Sequence, residues 1–374
     1  MKILHVQKIA GLAGSERYLL TLLPELVKQG LDCYFTAIYL ASNESSILPI
    51  LNDLERSNVR VFRIRLQKDF IVNSALKLSK LIDEVKPDIV HAHLLHADLW
   101  GAFSKKLCKH KFKLVSTKHG YEERYINQYG LQSIKKLRSL YYYCANFAEK
   151  FIDKSFAVSK GIADLFIRLG ISKKEKITVI HHGMDYSPIG DNANFRLSEY
   201  QILVPGRLVP FKGQRFIIEA LPKIIAEFPE ARLVLAGSGE SEFVLKKMVN
   251  ELGLDQNVTF LGFTNEIAEY MKNSNVIVIP SVGEGFGLVL LEAFNSCTPV
   301  VCFDVPACNE IVTHNVSGLL VEPFDTDKLG NSVIKIFANP EFGEQLAKEA
   351  KNKGENYFSK QRMVDETINF YQDL

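Results

Sequence analysis

Short apolar runs alternate with longer amphipathic stretches along nearly the whole chain. This alternation restricts the possible folds more than any other feature of the sequence. Continuous apolar strands separated by helical patterns are typical of parallel sheets covered by helices on both faces. Two such series follow one another, which predicts an α/β chain with two doubly wound, Rossmann-like domains. The predicted strands of the first series are Ile3–Val6, Cys33–Tyr39, Val59–Ile64, Ile89–His91, Lys113–Thr117, Ser155–Val158 and Ile177–Ile180. Those of the second are Ile202–Val204, Arg232–Ala236, Val258–Leu261, Val276–Pro280, Val300–Phe303 and Gly318–Val321.

The domain boundaries follow from length and from one aperiodic segment. The 374 residues suit about two domains at roughly 150 residues each. The segment His182–Tyr200 is rich in Gly, Pro, Asn and Asp and predicts a linker. We therefore expect domains at 1–185 and 186–358, and a final helix at 359–374 that crosses back to the first domain. Ligands of open parallel sheets bind beyond the carboxyl ends of the strands, so we expect the site in a cleft between the facing domains.

Composition and charge exclude several classes of protein. No stretch approaches the ~20 apolar residues of a membrane span, and the six cysteines form no CxxC or other zinc-type spacing. The chain opens directly on a predicted strand rather than on a signal-peptide core, so we expect a cytoplasmic protein. Residues 1–185 hold 29 basic and 18 acidic residues, and the remainder holds 16 and 25. A basic first domain attracts anionic lipid headgroups or a diphosphate substrate, unless its lysines are simply solvated.

The densest chemical signal is the loop from Val282 to Gly287, between a predicted strand and an apolar helix. Its glycines allow a tight turn with exposed backbone N–H groups, which with the following helix dipole form an anion- or hydroxyl-binding end. Glu284 lies in this loop and Glu292 lies eight residues on, a little over two helical turns, so both carboxylates can face one side. Carboxylates accept hydrogen bonds from sugar or ribose hydroxyls. The alternative is a glycine turn with a solvated carboxylate.

A second loop, Gly206–Gly213, carries two cations at the entrance of a helix. The guanidinium of Arg207 and the ammonium of Lys212, with nearby N–H groups, suit a diphosphate. Solvated surface charges are the alternative.

Three weaker signals also follow predicted strands. The loop Gly11–Glu16 resembles a dinucleotide-binding turn but lacks the full GxGxxG, and Gly14 could bring its backbone near a phosphate. His119 precedes a glycine at a strand end and could donate hydrogen bonds to a ligand. The turn after Ala236 offers Gly239 and Glu240 to a ligand. His91 and His93 follow another strand, but no carboxylate is spaced with them for a metal site.

These loops together resemble the retaining glycosyltransferases of family 4, which have the GT-B fold, over essentially the whole chain. The Glu-x7-Glu motif of that family is matched by Glu284 and Glu292, and its Arg/Lys pair by Arg207 and Lys212. His119 matches its strand-end histidine, and the loop Gly11–Glu16 its glycine-rich turn. That turn departs from the pattern, because Ala13 replaces the first of its paired glycines.

The resemblance implies an EC 2.4 hexosyltransferase that keeps the anomeric configuration and needs neither metal nor cofactor. It implies His119, Arg207, Lys212 and Glu284 as the catalytic residues. The implied donor-binding residues are Gly14, Glu16, Gly206, Gly239, Glu240, Gly285, Phe286, Gly287, Leu288 and Glu292. The substrate would be a UDP- or GDP-type nucleotide sugar, and the product would belong to cell-surface polysaccharide synthesis.

The acceptor is predicted from the basic first domain. Lysines and arginines cluster at Lys105, Lys106, Lys109, Lys111 and Lys113 and at Lys135, Lys136 and Arg138, and the second cluster borders apolar and aromatic residues from Leu137 to Tyr143. Such surfaces suit shallow docking on an anionic membrane, so we expect a glycan or polyprenyl-linked acceptor at the inner face of the plasma membrane. Nucleic acid is not expected, since no reading motif is present, and the oligomeric state stays open. A nucleotide-sugar epimerase, another GT-B enzyme, or an inactive sugar-nucleotide-binding protein are the alternative functions.

Overall fold

Two parallel β-sheets organise the chain, as the alternating pattern predicts. The structure is a computed structural model that describes residues 1–67, 71–123, 125–126, 139–190 and 195–374. These residues form two compact units. The first comprises Met1–Glu122, the described part of Ile134–Gly183, and Lys360–Leu374. The second comprises Met184–Ser359 and the described part of Glu123–Ser133.

The first unit is built on a seven-stranded sheet of order β3-β2-β1-β4-β5-β6-β7. Every pairing in this sheet is parallel. The strands are β1 Lys2–Lys8, β2 Asp32–Leu40, β3 Arg60–Leu66, β4 Ile89–His93, β5 Lys113–Lys118, β6 Lys154–Ala157 and β7 Ile177–Val179. The helices are α1 Gly14–Lys28, α2 Glu44–Arg56, α3 Ile71–Val85, α4 Leu94–Leu107, α5 Leu140–Glu149, α6 Lys160–Arg168 and, at the chain end, α14 Lys360–Gln372.

The second unit has a six-stranded parallel sheet of order β10-β9-β8-β11-β12-β13. Its strands are β8 Tyr200–Pro205, β9 Ala231–Ala236, β10 Val258–Gly262, β11 Val276–Ile279, β12 Val300–Phe303 and β13 Leu319–Val321. Its helices are α7 Gln214–Glu227, α8 Glu242–Glu251, α9 Ile267–Lys272, α10 Leu288–Asn295, α11 Cys308–Ile311, α12 Thr326–Ala338 and α13 Pro340–Tyr357.

The predicted strands are confirmed, with ends that differ by at most two residues. Central strands such as β1 and β11 are buried along their length, because helices cover both faces of each sheet. The basic cluster at Lys135, Lys136 and Arg138 lies outside the described residues, and helix α5 begins at Leu140.

The last helix completes the core of the first unit. Met363, Val364, Phe370 and Tyr371 of α14 are buried in the same hydrophobic cluster as Leu22 of α1. The phenol of Tyr371, near the end of the chain, is therefore buried in the core of the first unit. Among the described helices, none is long and apolar enough to span a bilayer.

Candidate active site

Three loops of the second unit meet at the carboxyl edge of its sheet. They follow β8, β9 and β11, and β8 lies between the other two strands. The N–H of Gly206 donates to the carbonyl of Ala236 at 2.9 Å, and the N–H of Val282 donates to the carbonyl of Phe211 at 2.8 Å. Because backbone hydrogen bonds join the loops, the residues they carry are held as one group.

Two glycines are required by how closely these loops approach each other. A Cβ on Gly213 would lie 2.0 Å from the carbonyl oxygen of Pro280, and one on Gly237 would lie 2.0 Å from that of Gly206. Both residues also have positive φ, +70° and +147°. The glycines that signalled this site in the sequence therefore allow the loops to pack on one another.

Lys212 and Glu284 form the central contact of this loop cluster. The ammonium Nζ donates to the carboxylate Oε1 at 2.6 Å, and the two side chains are 18% and 7% exposed. This shielding weakens screening by water and keeps both charged groups in place. The two members of the pair come from different sequence motifs, so the structure brings these predicted residues together.

Arg207 lies on the same loop as Lys212, and both cations flank one aromatic ring. The guanidinium carbon of Arg207 and Nζ of Lys212 lie 5.7 Å and 5.6 Å from the centroid of Phe211. Arg207 also donates to Glu123 at 2.7 Å, and both of those side chains are more than half exposed. A contact this exposed is weak, so the guanidinium can exchange it for an anionic ligand.

The second carboxylate of the motif lies on the helix that follows. Helix α10 begins after Gly287, whose φ of +93° closes the turn. Phe286 is buried, and Leu288 and Glu292 are half-buried. Gly239 is held against the carbonyl of Leu208, where an added Cβ would lie 2.3 Å from its oxygen, whereas Glu240 is exposed.

In the first unit, the turn before α1 is organised by Glu16. Its buried carboxylate accepts from the N–H of Ala13 at 3.0 Å and from Gln7 at 2.5 Å. Burial raises the pKa of this carboxyl against the lowering effect of those hydrogen bonds. Ala13 has φ −129°, an extended conformation that alanine adopts without strain. The carboxylate of Glu16 thus holds its own loop, and donor binding by Glu16 and Gly14 remains a prediction.

His119, which is half-buried, contacts a group of buried imidazoles that the sequence pattern did not indicate. Its Nε2 lies 3.1 Å from Nδ1 of His93, whose own Nε2 lies 3.0 Å from Nδ1 of His5. His5 was missed altogether. The available signal was strand pairing, because β1 and β4 are neighbours and His5 is in register with His91.

His182 also joins this group, although the sequence assigned it to a linker. It is buried, with its ring centroid 4.6 Å from Tyr18 and 5.7 Å from His119. Burial lowers the pKa of His119 and of His5 to about 3 and lowers that of His182 well below its ordinary value. These rings are therefore neutral at pH 7.

Ring nitrogens of His5, His91 and His93 lie within 4.8 Å of one another, a spacing that could hold a metal ion. The prediction of no metal rested on the family resemblance and on the absence of a carboxylate spaced with His91 and His93, and it did not consider His5. It stays a prediction, and the same nitrogens already contact one another and a phenol.

Comparison with known proteins agrees with this arrangement of loops and sheets. The family model described as Glycosyltransferase Family 4 matches residues 12–187, and the one described as Glycosyl transferases group 1 matches residues 189–353. A Methanocaldococcus jannaschii protein described as an uncharacterized glycosyltransferase is 31% identical over 301 residues, which cover 77% of this chain and 75% of that protein. The chain belongs to the glycosyltransferases, and it is an enzyme of the GT-B fold.

Two further relatives extend over the full length. The Escherichia coli UDP-Gal:alpha-D-GlcNAc-diphosphoundecaprenol alpha-1,3-galactosyltransferase is 27% identical over 394 aligned positions, which cover 100% of this chain and 97% of that enzyme. The crystal structure of Anabaena HepE in complex with UDP-glucose has a TM-score of 0.83 at 22% identity and covers all of both chains. The likeness to HepE shows the fold.

Proposed function

We propose that this glycosyltransferase moves a hexosyl or N-acetylhexosaminyl group from a UDP-sugar to a glycan carried on a lipid diphosphate, with retention of the anomeric configuration and without a metal ion. The observation that carries the proposal is the shielded Lys212–Glu284 pair, held by the hydrogen-bonded loops after β8 and β11. A UDP-sugar donor is supported by the printed names of the E. coli relative and the HepE complex. The E. coli relative also supports a lipid diphosphate acceptor.

The cations of the Gly206–Gly213 loop would stabilise the leaving group. Breaking the anomeric C–O bond develops negative charge on the nucleoside diphosphate. Arg207 and Lys212, fixed near one aromatic ring, supply two positive charges there before the reaction begins. This charge compensation is why a metal ion is not required.

Glu284 would serve two purposes in this mechanism. Its Oε1 accepts from Lys212 and orients the ammonium, and its second oxygen is available to a sugar hydroxyl. Glu292, on α10, would hold the donor ribose in the same unit. His119 would contact the transferred sugar.

The acceptor side of the proposal places the enzyme on the cytoplasmic face of an anionic membrane. Leu140 and Tyr143 lie in the apolar first turn of α5 and are 80% and 54% exposed. In the sequence this turn comes directly after the basic cluster that ends at Arg138. In the cluster from Lys105 to Lys113, the ammonium of Lys105 forms an ion pair with Asp153. Nζ of Lys106 lies 4.9 Å from the ring centroid of Phe151. Exposed apolar side chains next to cations suit interfacial docking.

The catalytic proposal is tested with Lys212→Met, because methionine keeps the length of the side chain and removes the charge. We expect UDP release from a UDP-sugar, in the presence of a diphosphate-lipid glycan acceptor, to fall about 10²- to 10³-fold. Lys246→Met is the matched control, since Lys246 forms an equally short but exposed pair with Glu242 in the same unit, at 2.6 Å. Dialysis against EDTA should leave transfer unchanged.

The outcomes separate the alternatives. Full activity in Lys212→Met would refute leaving-group stabilisation by this residue, and loss of activity in EDTA would refute the metal-free mechanism. Conversion of the donor sugar without acceptor would identify an epimerase, and UDP-sugar binding without turnover would identify a binding protein. The anomeric coupling constant in the product's NMR spectrum decides between retention and inversion. Absence of co-sedimentation with phosphatidylglycerol vesicles would refute membrane docking.

A further inference from the structure

A continuous chain of polar contacts runs through the buried core of the first unit and ends at His119. It begins at Thr117 Oγ1, 2.7 Å from Nε2 of His91, and continues from Nδ1 of His91 to Oη of Tyr371 at 2.6 Å. The phenol is 3.4 Å from Nε2 of His5. The contacts of His5 with His93 and of His93 with His119 complete it.

In the described structure the hydroxyl of Tyr371 contacts His91 and His5, so when its proton is donated to one of them, the protons of the chain all point in one direction. A neutral imidazole has one N–H donor and one acceptor nitrogen, and a phenol has one proton to donate. Because each imidazole of the interior uses both nitrogens in the chain, a donor at one side of a ring requires an acceptor at the other. The tautomer of His119 is therefore coupled to the tautomer of His91, four contacts away.

The unpartnered end of the chain favours one of the two directions. Nδ1 of His119 is buried and has no hydrogen-bond partner in the described structure, and a buried N–H without a partner is rarer in proteins than a buried lone pair without one. The direction that leaves a lone pair on this nitrogen is the one in which Tyr371 donates to His91. If the phenol donates to Nδ1 of His91, then His91 donates from Nε2 to the hydroxyl of Thr117. His5 then donates from Nε2 to the phenol oxygen.

The same direction continues to His119. His93 donates from Nε2 to His5, and His119 donates from Nε2 to His93. All four imidazoles then carry their proton on Nε2, and Nδ1 of His119 carries a lone pair. That Nδ1 is buried and has no hydrogen-bond partner in the described structure.

We propose that Tyr371, His91, His5 and His93 are positioning residues that hold His119 in the Nε2–H tautomer, so that its Nδ1 accepts a hydrogen bond from a hydroxyl of the bound sugar. The sugar contact rests on the proposed function, whereas the tautomer does not. The direction also changes the sequence expectation, which treated His119 as a donor. The neutrality of His119 at pH 7 is consistent with an acceptor nitrogen, because burial keeps its pKa at about 3.

The test removes one oxygen atom. Tyr371→Phe keeps the ring that packs in the core and deletes the oxygen that contacts both His91 and His5. The segment from His5 to His119 can then adopt either direction. Tyr39→Phe is the matched control, since Tyr39 is buried in the same hydrophobic cluster and its hydroxyl contacts Glu44 instead of an imidazole.

Two measurements are made on the full chain. Two-bond ¹H–¹⁵N correlation spectra at pH 7, assigned by His→Gln variants of the nine histidines, should show His119 as Nε2–H in the parent and in Tyr39→Phe. In Tyr371→Phe they should show a mixture of tautomers. The kcat should fall about five- to tenfold in Tyr371→Phe, as expected for misdirecting one hydrogen bond, with KM for the donor changed less than twofold.

A second pair of variants tests the link next to His119. His93→Phe removes both contacts and should lower kcat at least as far, and His93→Gln, which retains an amide donor and acceptor, should restore part of it. An Nδ1–H tautomer of His119 in the parent would overturn the assigned direction. An unchanged His119 spectrum in Tyr371→Phe, or a changed spectrum with unchanged kcat, would overturn the positioning role.

Metal analysis gives an independent check. One equivalent of zinc in the purified protein would overturn the proposal, because a metal on His5, His91 and His93 would replace these hydrogen bonds. If instead the spectra are as expected and no nucleotide sugar supports transfer, the tautomer assignment stands and the proposed function fails.

Discussion

The buried imidazoles of the first unit predict that this unit loses stability as the pH falls from 7 to 5. Burial lowers the pKa of His5, His91, His93, His119 and His182. In the unfolded chain each titrates near its ordinary value of 6.5. Below that pH the unfolded chain binds protons that the folded unit excludes, so the free energy of unfolding decreases as the pH falls, until the folded pKa is reached.

The magnitude can be worked out for His5, which has no exposed surface. Its pKa is about 3 in the folded state against 6.5 in the unfolded chain. Each pH unit between these values corresponds to ~1.4 kcal/mol, so lowering the pH from 7 to 5 removes ~2 kcal/mol through this one ring. The other four rings act in the same direction. The carboxyls of Glu16 and Asp98, whose pKa values burial raises, act in the opposite direction.

The test is urea unfolding of the parent and of His5→Gln at pH 7 and at pH 5. Unfolding is detected by the fluorescence of Trp100, the one tryptophan of the chain, which is buried in the first unit. The variant should lose ~2 kcal/mol less than the parent between the two pH values. His110→Gln is the control, because His110 lies outside the cluster and contacts the carbonyl of Pro87. An equal loss in His5→Gln and the parent would refute the reasoning.

Two further predictions concern stability. Gly213→Ala should destabilise the second unit by at least ~2 kcal/mol more than Gly253→Ala, because both residues have φ near +70° but only the Cβ on Gly213 meets a backbone oxygen, at 2.0 Å; equal losses of unfolding free energy in urea would contradict this. Lys118→Met should cost the first unit ~3–5 kcal/mol, because it leaves the buried carboxylates of Asp98 and Glu149, 2.8 Å and 3.2 Å from the ammonium, without their counter-charge. Adding Asp98→Asn to that variant should recover part of the loss in the same urea titration, and no recovery would show that the charge imbalance is not the cause.

The sheets could be predicted from the sequence because strand identity is a local property. Runs such as Val276–Pro280 and Val300–Phe303 are apolar on both faces, which only a sheet covered on both sides accommodates. The loops after β8 and β11 could be predicted for the same reason, since glycines and charges stand directly after apolar runs. The contact between Lys212 and Glu284 forms because these two loops are adjacent: β8 and β11 are neighbouring strands, and their carboxyl ends lie at one edge of the sheet.

The histidine cluster could not be predicted in that way, because its members are far apart in sequence. His5 and Tyr371 are separated by 366 positions, and only the packing of α14 against the first unit brings them together. Glu16 shows a different limit. The sequence places it in a loop that resembles a ligand-binding turn, whereas its position three residues after Ala13, the residue before α1, also suits a carboxylate that bonds back to the N–H of Ala13.

The two units order their proposed functional groups in different ways. In the second unit the groups proposed for the leaving diphosphate are charged, come from loops, and are ordered by backbone hydrogen bonds between those loops. In the first unit the groups around His119 are neutral, come from strands and from the last helix, and are ordered by one another. A charged site needs only short-range order to attract a diphosphate, because Coulomb attraction depends weakly on angle. A neutral nitrogen that must accept one hydrogen bond depends on its tautomer and ring orientation. Under the role that we propose for His119, that requirement accounts for the contact of a phenol from the end of the chain with a strand at its beginning.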